Sequence, residues 1–219
     1  EGAHQSEMVS QMLYGETAQI TEQNGSFFRI MMDFDGYEGW MHRNQLTVIS
    51  EDTYSDRKIS LITDVFKYTE TPEGKMLLSA GSEVETDLAA QNLNSNLAET
   101  ARLFLNVPYL WSGRSFFGID CSGFTQLVHK LHGIKLPRDA YQQAEQGVVL
   151  DFIEEAEPGD LAFFEDFEGK IVHVGIMLEE QKIIHAYGKV RIDQLDSSGI
   201  YNPELRKHSH KLRFVKTLR

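Results

Sequence analysis

The chain has 219 residues, 41% hydrophobic and 11% aromatic, enough apolar material to bury a core for one large domain or two small ones. Its formal charge of −12 repels phosphate backbones and argues against nucleic acid as a partner. A single cysteine excludes an internal disulfide framework and any metal site built from several thiolates.

No apolar run approaches the roughly 20 residues of a membrane span, and no charged-then-apolar leader opens the chain. A cytoplasmic location is therefore expected, or an envelope location if a leader preceded Glu1. Residues 8–50 read as short strands separated by turns. Asn24-Gly25 signals a tight hairpin between strands ending near Ile20 and starting near Phe27, and Asp35-Gly36 marks a second turn. This spacing predicts a small antiparallel barrel, and "GYEGWM" resembles the closing strand of bacterial SH3-like domains. Trp40 and Tyr37 have a plainer reading as its core. Segment 59–86 adds strands around a Pro72–Gly74 turn.

From about residue 93 the apolar period lengthens. Apolar residues at 97, 101, 104 and 105 predict a helix capped by Asn94 or Ser95 and stopped at Val107-Pro108. A second amphipathic helix, apolar at 124, 127, 128 and 131, starts at or just before Cys121 and ends at Gly133. Downstream, "GDLAFFE", "KIVHVGIML", "KIIHAYG" and "KLRFVKTL" read as strands. Helices followed by an antiparallel sheet make the fold class α+β.

The lone thiol thus sits at a helix N-terminus, where free amides and the helix dipole favour the thiolate and lower its pKa. A nucleophilic thiolate also needs a base and a group that orients that base. His4, His42, His129, His132, His208 and His210 lie in polar or helix-face surroundings that suit solvated roles, and His208-Ser209-His210 lacks the thiolate or carboxylate a metal site would want. His173 and His185 each stand alone in an apolar strand, where an unpartnered ring is costly. One such histidine is more often a satisfied core residue than a catalyst. Two, on strands joined across "LEEQK", can be neighbours facing Cys121.

Taken together, "YLWSGRSFFGIDCSGFTQLV", "LPRDAYQQA", "PGDLAFF", "HVGIML" and "IIHAYGKVRI" resemble the NlpC-type family of bacterial cell-wall cysteine peptidases, which are papain-like. The resemblance implies an SH3-like domain over residues 1–86 and a peptidase domain over 93–219. It implies Cys121 as nucleophile, His173 as general base and His185 as the orienting residue. Asp120 and Ser122 would contact a D-glutamyl group. Tyr109 and Trp111 would line the cleft, with the Tyr109 hydroxyl and the Cys121 N–H as oxyanion donors. Asp139 would bind the ammonium of an N-terminal L-alanine, with Glu7 and Tyr37 closing the far end, while Arg138 reads as a structural partner or a surface charge rather than a ligand contact. Two departures stand out: Ser112 where many relatives have glycine, and Ala140 where many have serine.

The implied activity is hydrolysis of the γ-D-glutamyl to diamino acid bond in murein peptides, without metal or cofactor. An amidase or acyltransferase on the same scaffold and an inert wall-binding protein are the alternatives.

Overall fold

The computed structural model describes residues 2–72, 74–86, 95–203 and 205–218. The predicted first hairpin forms: β1 (Ala18–Asn24) pairs with β2 (Phe27–Met32). The first strand runs past Ile20 to Asn24, with a bulge between Ile20 and Glu22. Gly25, at φ 56°, supplies the left-handed residue this turn requires. After the Asp35-Gly36 turn, β3 (Glu38–His42) completes a three-stranded antiparallel sheet. A one-and-a-half-turn helix, α1 (Glu51–Asp56), is capped by the Ser50 side chain. Next come β4 (Ile59–Leu61), β5 (Phe66–Thr71), β6 (Gly74–Ser79) and β7 (Glu83–Glu85), paired as β4–β7 and β5–β6.

The helix α2 (Leu97–Arg102) is shorter than its apolar pattern suggested. Its cap is Asn96 rather than Ser95, because Asn96 and Glu99 complete a capping box; Asn94 lies outside the described residues. A small hairpin, β8 (Arg114–Ser115) and β9 (Gly118–Ile119), leads into α3 (Cys121–Leu131) and the single turn α4 (Ala140–Gln143). The remaining strands are β10 (Val148–Val149), β11 (Leu161–Glu165), β12 (Ile171–Met177), β13 (Lys182–Tyr187), β14 (Lys189–Asp196), β15 (Gly199–Asn202) and β16 (Lys207–Thr217). They form one antiparallel sheet in the order β10-β16-β11-β12-β13-β14-β15, and β15 also pairs with β16, so that β11 to β16 close into a ring.

Phe124, Leu127, Val128 and Leu131 of α3 enter a core with Phe104, Phe163, Val174 and Ile184. The expected polar face of this helix is covered too, and every residue from Cys121 to Leu131 is buried. Burying polar groups without partners would cost a few kcal/mol each, and the N-terminal part supplies partners for Gln126 Nε2 and Lys130. Gln126 Nε2 donates to Asp35 Oδ2 at 2.8 Å, and Lys130 Nζ reaches Glu16 Oε1 at 2.7 Å and Glu83 Oε1 at 3.0 Å. Glu16 also accepts from both terminal nitrogens of the fully buried Arg114, each at 3.1 Å. His129, expected to be solvated, is fully buried and bonds the Thr125 carbonyl at 2.8 Å. Gln126 and Lys130 are covered because the N-terminal part lies where the helix pattern alone predicts water.

Candidate active site

The approach to Cys121 is a strap pinned by backbone bonds. Tyr109 N–H donates to the Gly188 carbonyl at 3.0 Å, Leu110 N–H to Ile119 at 3.2 Å and Asp120 N–H to Gly113 at 3.2 Å. A side chain at Gly123 would run into the Gly113 carbonyl oxygen, so close packing against the strap sets the first turn of α3. Ser112 occupies a left-handed conformation, φ 61°, which explains why glycine suits this position. Asp120 is the N-cap and accepts from Gly123 N–H at 2.6 Å. The same carboxylate is gripped by Arg138, 2.6 Å to Oδ2 and 3.1 Å to Oδ1, and Arg138 donates also to Ser122 Oγ at 3.0 Å. Arg138 is thus a structural partner, as expected. Gln143 clamps α4 to this turn by donating to the Ser122 carbonyl at 3.0 Å and the Pro137 carbonyl at 2.9 Å.

Strands β12 and β13 meet as expected, with Ile176 opposite Ile184 and Met177 opposite Ile183. Extending that register by one pair sets Gly175 beside His185, and a Cβ there would lie 2.8 Å from the His185 Cβ. The missing side chain lets His173 lean across, and His173 Nε2 lies 2.8 Å from His185 Nδ1. His185 Nε2 lies 3.0 Å from Asp193 Oδ2 on β14, and Arg191 holds that carboxylate at 2.7 and 2.8 Å. A carboxylate only accepts, so His185 donates from Nε2 and its Nδ1 accepts from His173 Nε2–H. His173 Nδ1 therefore carries the lone pair, the form a general base needs.

The backbone N–H groups of Val174, next to His173, and of Ser122 point at the Cys121 sulfur and favour the thiolate, as the helix N-terminus predicts. Burial wins nonetheless: it and the Asp120 charge push the thiol up to about 12, the reverse of the lowering expected from position alone. Burial, followed by the neighbouring His185 and His210, drives His173 well below the ordinary imidazole value. The resting pair is a neutral thiol and a neutral imidazole. Burial and then Cys121 raise Tyr109 to about 12, with its hydroxyl on the Cys121 side of the cleft. Asp193 feels burial that would raise it, but its bonds to His185 and Arg191 hold it below the usual carboxyl value.

The four remaining candidates form two pairs between the domains. Trp111 Nε1–H donates to Glu7 Oε1 at 2.9 Å, and the Tyr37 hydroxyl donates to Asp139 Oδ2 at 3.5 Å. Burial, opposed by Arg138 and reinforced by Asp120, raises Asp139. Tyr37 and Trp40 line a cavity of about 400 Å³ together with Glu7, Met8 and Met12, so neither is simple core filling.

Asp193, Arg191, Gln143 and His210 did not emerge from the sequence. The signal for Asp193 was the alternation of Arg191, Asp193 and Leu195 along one face of a strand, which put an acid on an inward position. His210 does not lie in a solvated turn: it is on β16 with its ring stacked on His173.

A thiol at a helix N-terminus beside a His–His–Asp relay on an antiparallel sheet defines a papain-like α+β domain, here preceded by a small all-β SH3-like domain. The NlpC/P60 family model matches residues 106–209 and the bacterial dipeptidyl-peptidase Sh3 domain residues 1–46. The γ-D-glutamyl-L-lysine dipeptidyl-peptidase of Bacillus subtilis is 31% identical over 215 residues, covering 81% of this chain and 71% of its own. The protein of the same name from Bacillus cereus is 28% identical, covering 82% and 67%. The crystal structure of an NlpC/P60 family protein from Bacillus cereus superposes with a TM-score of 0.79 over 95% of this chain and 81% of its own, at 24% identity. The chain belongs to the NlpC/P60 family of peptidases.

Proposed function

We propose that the protein is a cysteine endopeptidase that hydrolyses the γ-D-glutamyl to diamino acid bond of murein peptides with a free N-terminal L-alanine. The observation that carries this reading is the relay that leaves His173 Nδ1 unprotonated, on the residue next to the Val174 N–H that bonds the Cys121 sulfur. With substrate in place, the thiol proton passes to His173 Nδ1 as sulfur attacks the γ-carbonyl carbon, so the neutral resting pair becomes charged only during reaction. The oxyanion is met by the Tyr109 hydroxyl and the Cys121 N–H. His173 returns the proton to the departing diamino acid nitrogen, and water then releases the thioester with the same base.

Asp120 and Ser122, both held by Arg138, face the D-glutamyl group, and Trp111 walls the cleft. In this reading the carboxylates of Asp139, bonded by Tyr37, and of Glu7, bonded by Trp111, bind the ammonium at one end. Ala140 offers no hydroxyl there, so the carboxylates carry the recognition. The working units are residues 1–86 and 93–219, the first limiting what the second admits. A free-amine requirement suits peptides already cut from the wall and a cytoplasmic place of work, which cell fractionation tests.

The deciding experiment is mass spectrometry after incubating wild type and Cys121→Ala with L-Ala-γ-D-Glu-diaminopimelate and its N-acetylated form. Release of L-Ala-D-Glu by wild type only, and from the free-amine peptide only, is expected. Equal cleavage of both peptides removes the gating role of the SH3-like domain. Cleavage of neither moves the reading to an amidase or acyltransferase.

A further inference from the structure

His210 lies outside the relay, yet its ring centroid is 4.2 Å from that of His173, with the planes inclined at 26°. Among the described residues no other ring lies so flat on the base: Phe164 meets His173 at 5.7 Å and 49°, and His185 at 5.0 Å and 84°. The His210 ring is itself held. Tyr187 packs edge-on at 4.9 Å, Phe164 at 5.9 Å, and Ser209 Oγ lies 2.8 Å from Nδ1. Its backbone is held as well. Ile200 of β15 stands opposite His210, and a side chain at the neighbouring Gly199 (φ 141°) would collide with the His210 carbonyl.

A base that accepts a proton at Nδ1 while donating from Nε2 must keep its ring plane through the transfer. The His185 bond fixes one end of that ring and leaves it free to rock about the bond. A flat neighbour removes the rocking. Burial lowers His210 to about 4, so it stays neutral at ordinary pH and adds no like charge.

We propose that His210 is a positioning residue for the general base, its stacked ring holding the His173 plane while the proton is gained and returned. This inference rests on the cysteine-peptidase reading above. Misplacing a reacting group by about an ångström costs on the order of 100-fold in rate, so His210→Ala is expected to lower kcat roughly 10- to 100-fold with KM within about twofold. His210→Phe keeps the flat face without the ring nitrogens and is expected within about threefold of wild type. His210→Gln keeps a polar group without a ring and should resemble the alanine variant.

The assay is cleavage of L-Ala-γ-D-Glu-diaminopimelate, with melting temperatures to show that each variant is folded. A folded alanine or glutamine variant within twofold of wild type overturns the proposal, as does a folded phenylalanine variant as slow as alanine. If wild type does not cut this peptide, the peptidase reading fails separately, and the rate of Cys121 alkylation by iodoacetamide takes over as the readout. Slowing by alanine and rescue by phenylalanine then support the stacked role, and unchanged rates overturn it.

Discussion

Glu7 and Trp111 are 104 residues apart in the chain and meet through a 2.9 Å hydrogen bond from the indole N–H to the carboxylate. The bond joins the N-terminal segment to the strap before Cys121. Hydrogen bonds to charged groups contribute about 1.5–3 kcal/mol, so Glu7→Gln should lower kcat/KM for the free-amine peptide about 10- to 100-fold. The N-acetylated peptide should stay uncut by both enzymes and the melting temperature unchanged. A loss below threefold on the free-amine peptide would show that Glu7 does not read the ammonium.

Asp193 decides which nitrogen of His173 carries the proton. An amide at this position either turns its NH2 toward His185 Nε2, which reverses the tautomers along the relay, or turns it toward Arg191 and breaks that grip. Asp193→Asn is expected to lower kcat by on the order of 10²–10⁴ with a folded protein. A loss below threefold in steady-state kinetics would remove Asp193 from the relay.

The thiol, pushed up to about 12 by burial, is almost wholly protonated in the free enzyme at neutral pH. Thiolate is the reactive form, and its fraction rises tenfold per pH unit below the pKa. Alkylation by iodoacetamide without substrate should therefore climb steadily from about pH 6 to 9. A plateau across that range would reveal a resting thiolate–imidazolium pair instead.

The buried carboxylate of Glu16 would be raised by burial, but Arg114 and Lys130 outweigh this and hold it below its ordinary value of 4.5. A depressed carboxyl stabilises the fold above that value and loses its contribution as pH falls through the lower folded value. Glu16→Gln leaves the buried Arg114 without a carboxylate and Lys130 with Glu83 alone, and is expected to cost about 3–5 kcal/mol by urea unfolding at pH 7. The gap to wild type should narrow below about pH 4. The double variant Glu16→Gln with Lys130→Met should recover part of the loss, and no recovery would place the cost elsewhere.

The nucleophile, the two relay histidines and the helix that carries Cys121 were legible because each leaves a local mark. A lone thiol preceded by a capping aspartate shows in a few residues, and so does a histidine inside a β-branched run. Asp193 was harder because its partner is on another strand and its own strand is mixed in polarity. His129 misled because a helix pattern reports which residues can tolerate water, not which ones the fold leaves in it. The rise in the Cys121 pKa was hidden for the same reason: the helix N-terminus is visible in sequence, whereas the depth of burial that outweighs it is not. His210 left no mark, since stacking depends on how β16 aligns with β12 across an intervening strand.

The closure of β11 to β16 into a ring bears on how this catalyst is lost. An open sheet can fray from a free margin and surrender its functional groups one at a time. Here His173, His185, Asp193 and His210 sit on four different staves of one hoop, and removing any stave springs the rest. Heat should therefore abolish activity and the surrounding hydrogen-exchange protection in a single transition, with no partly competent enzyme populated between them.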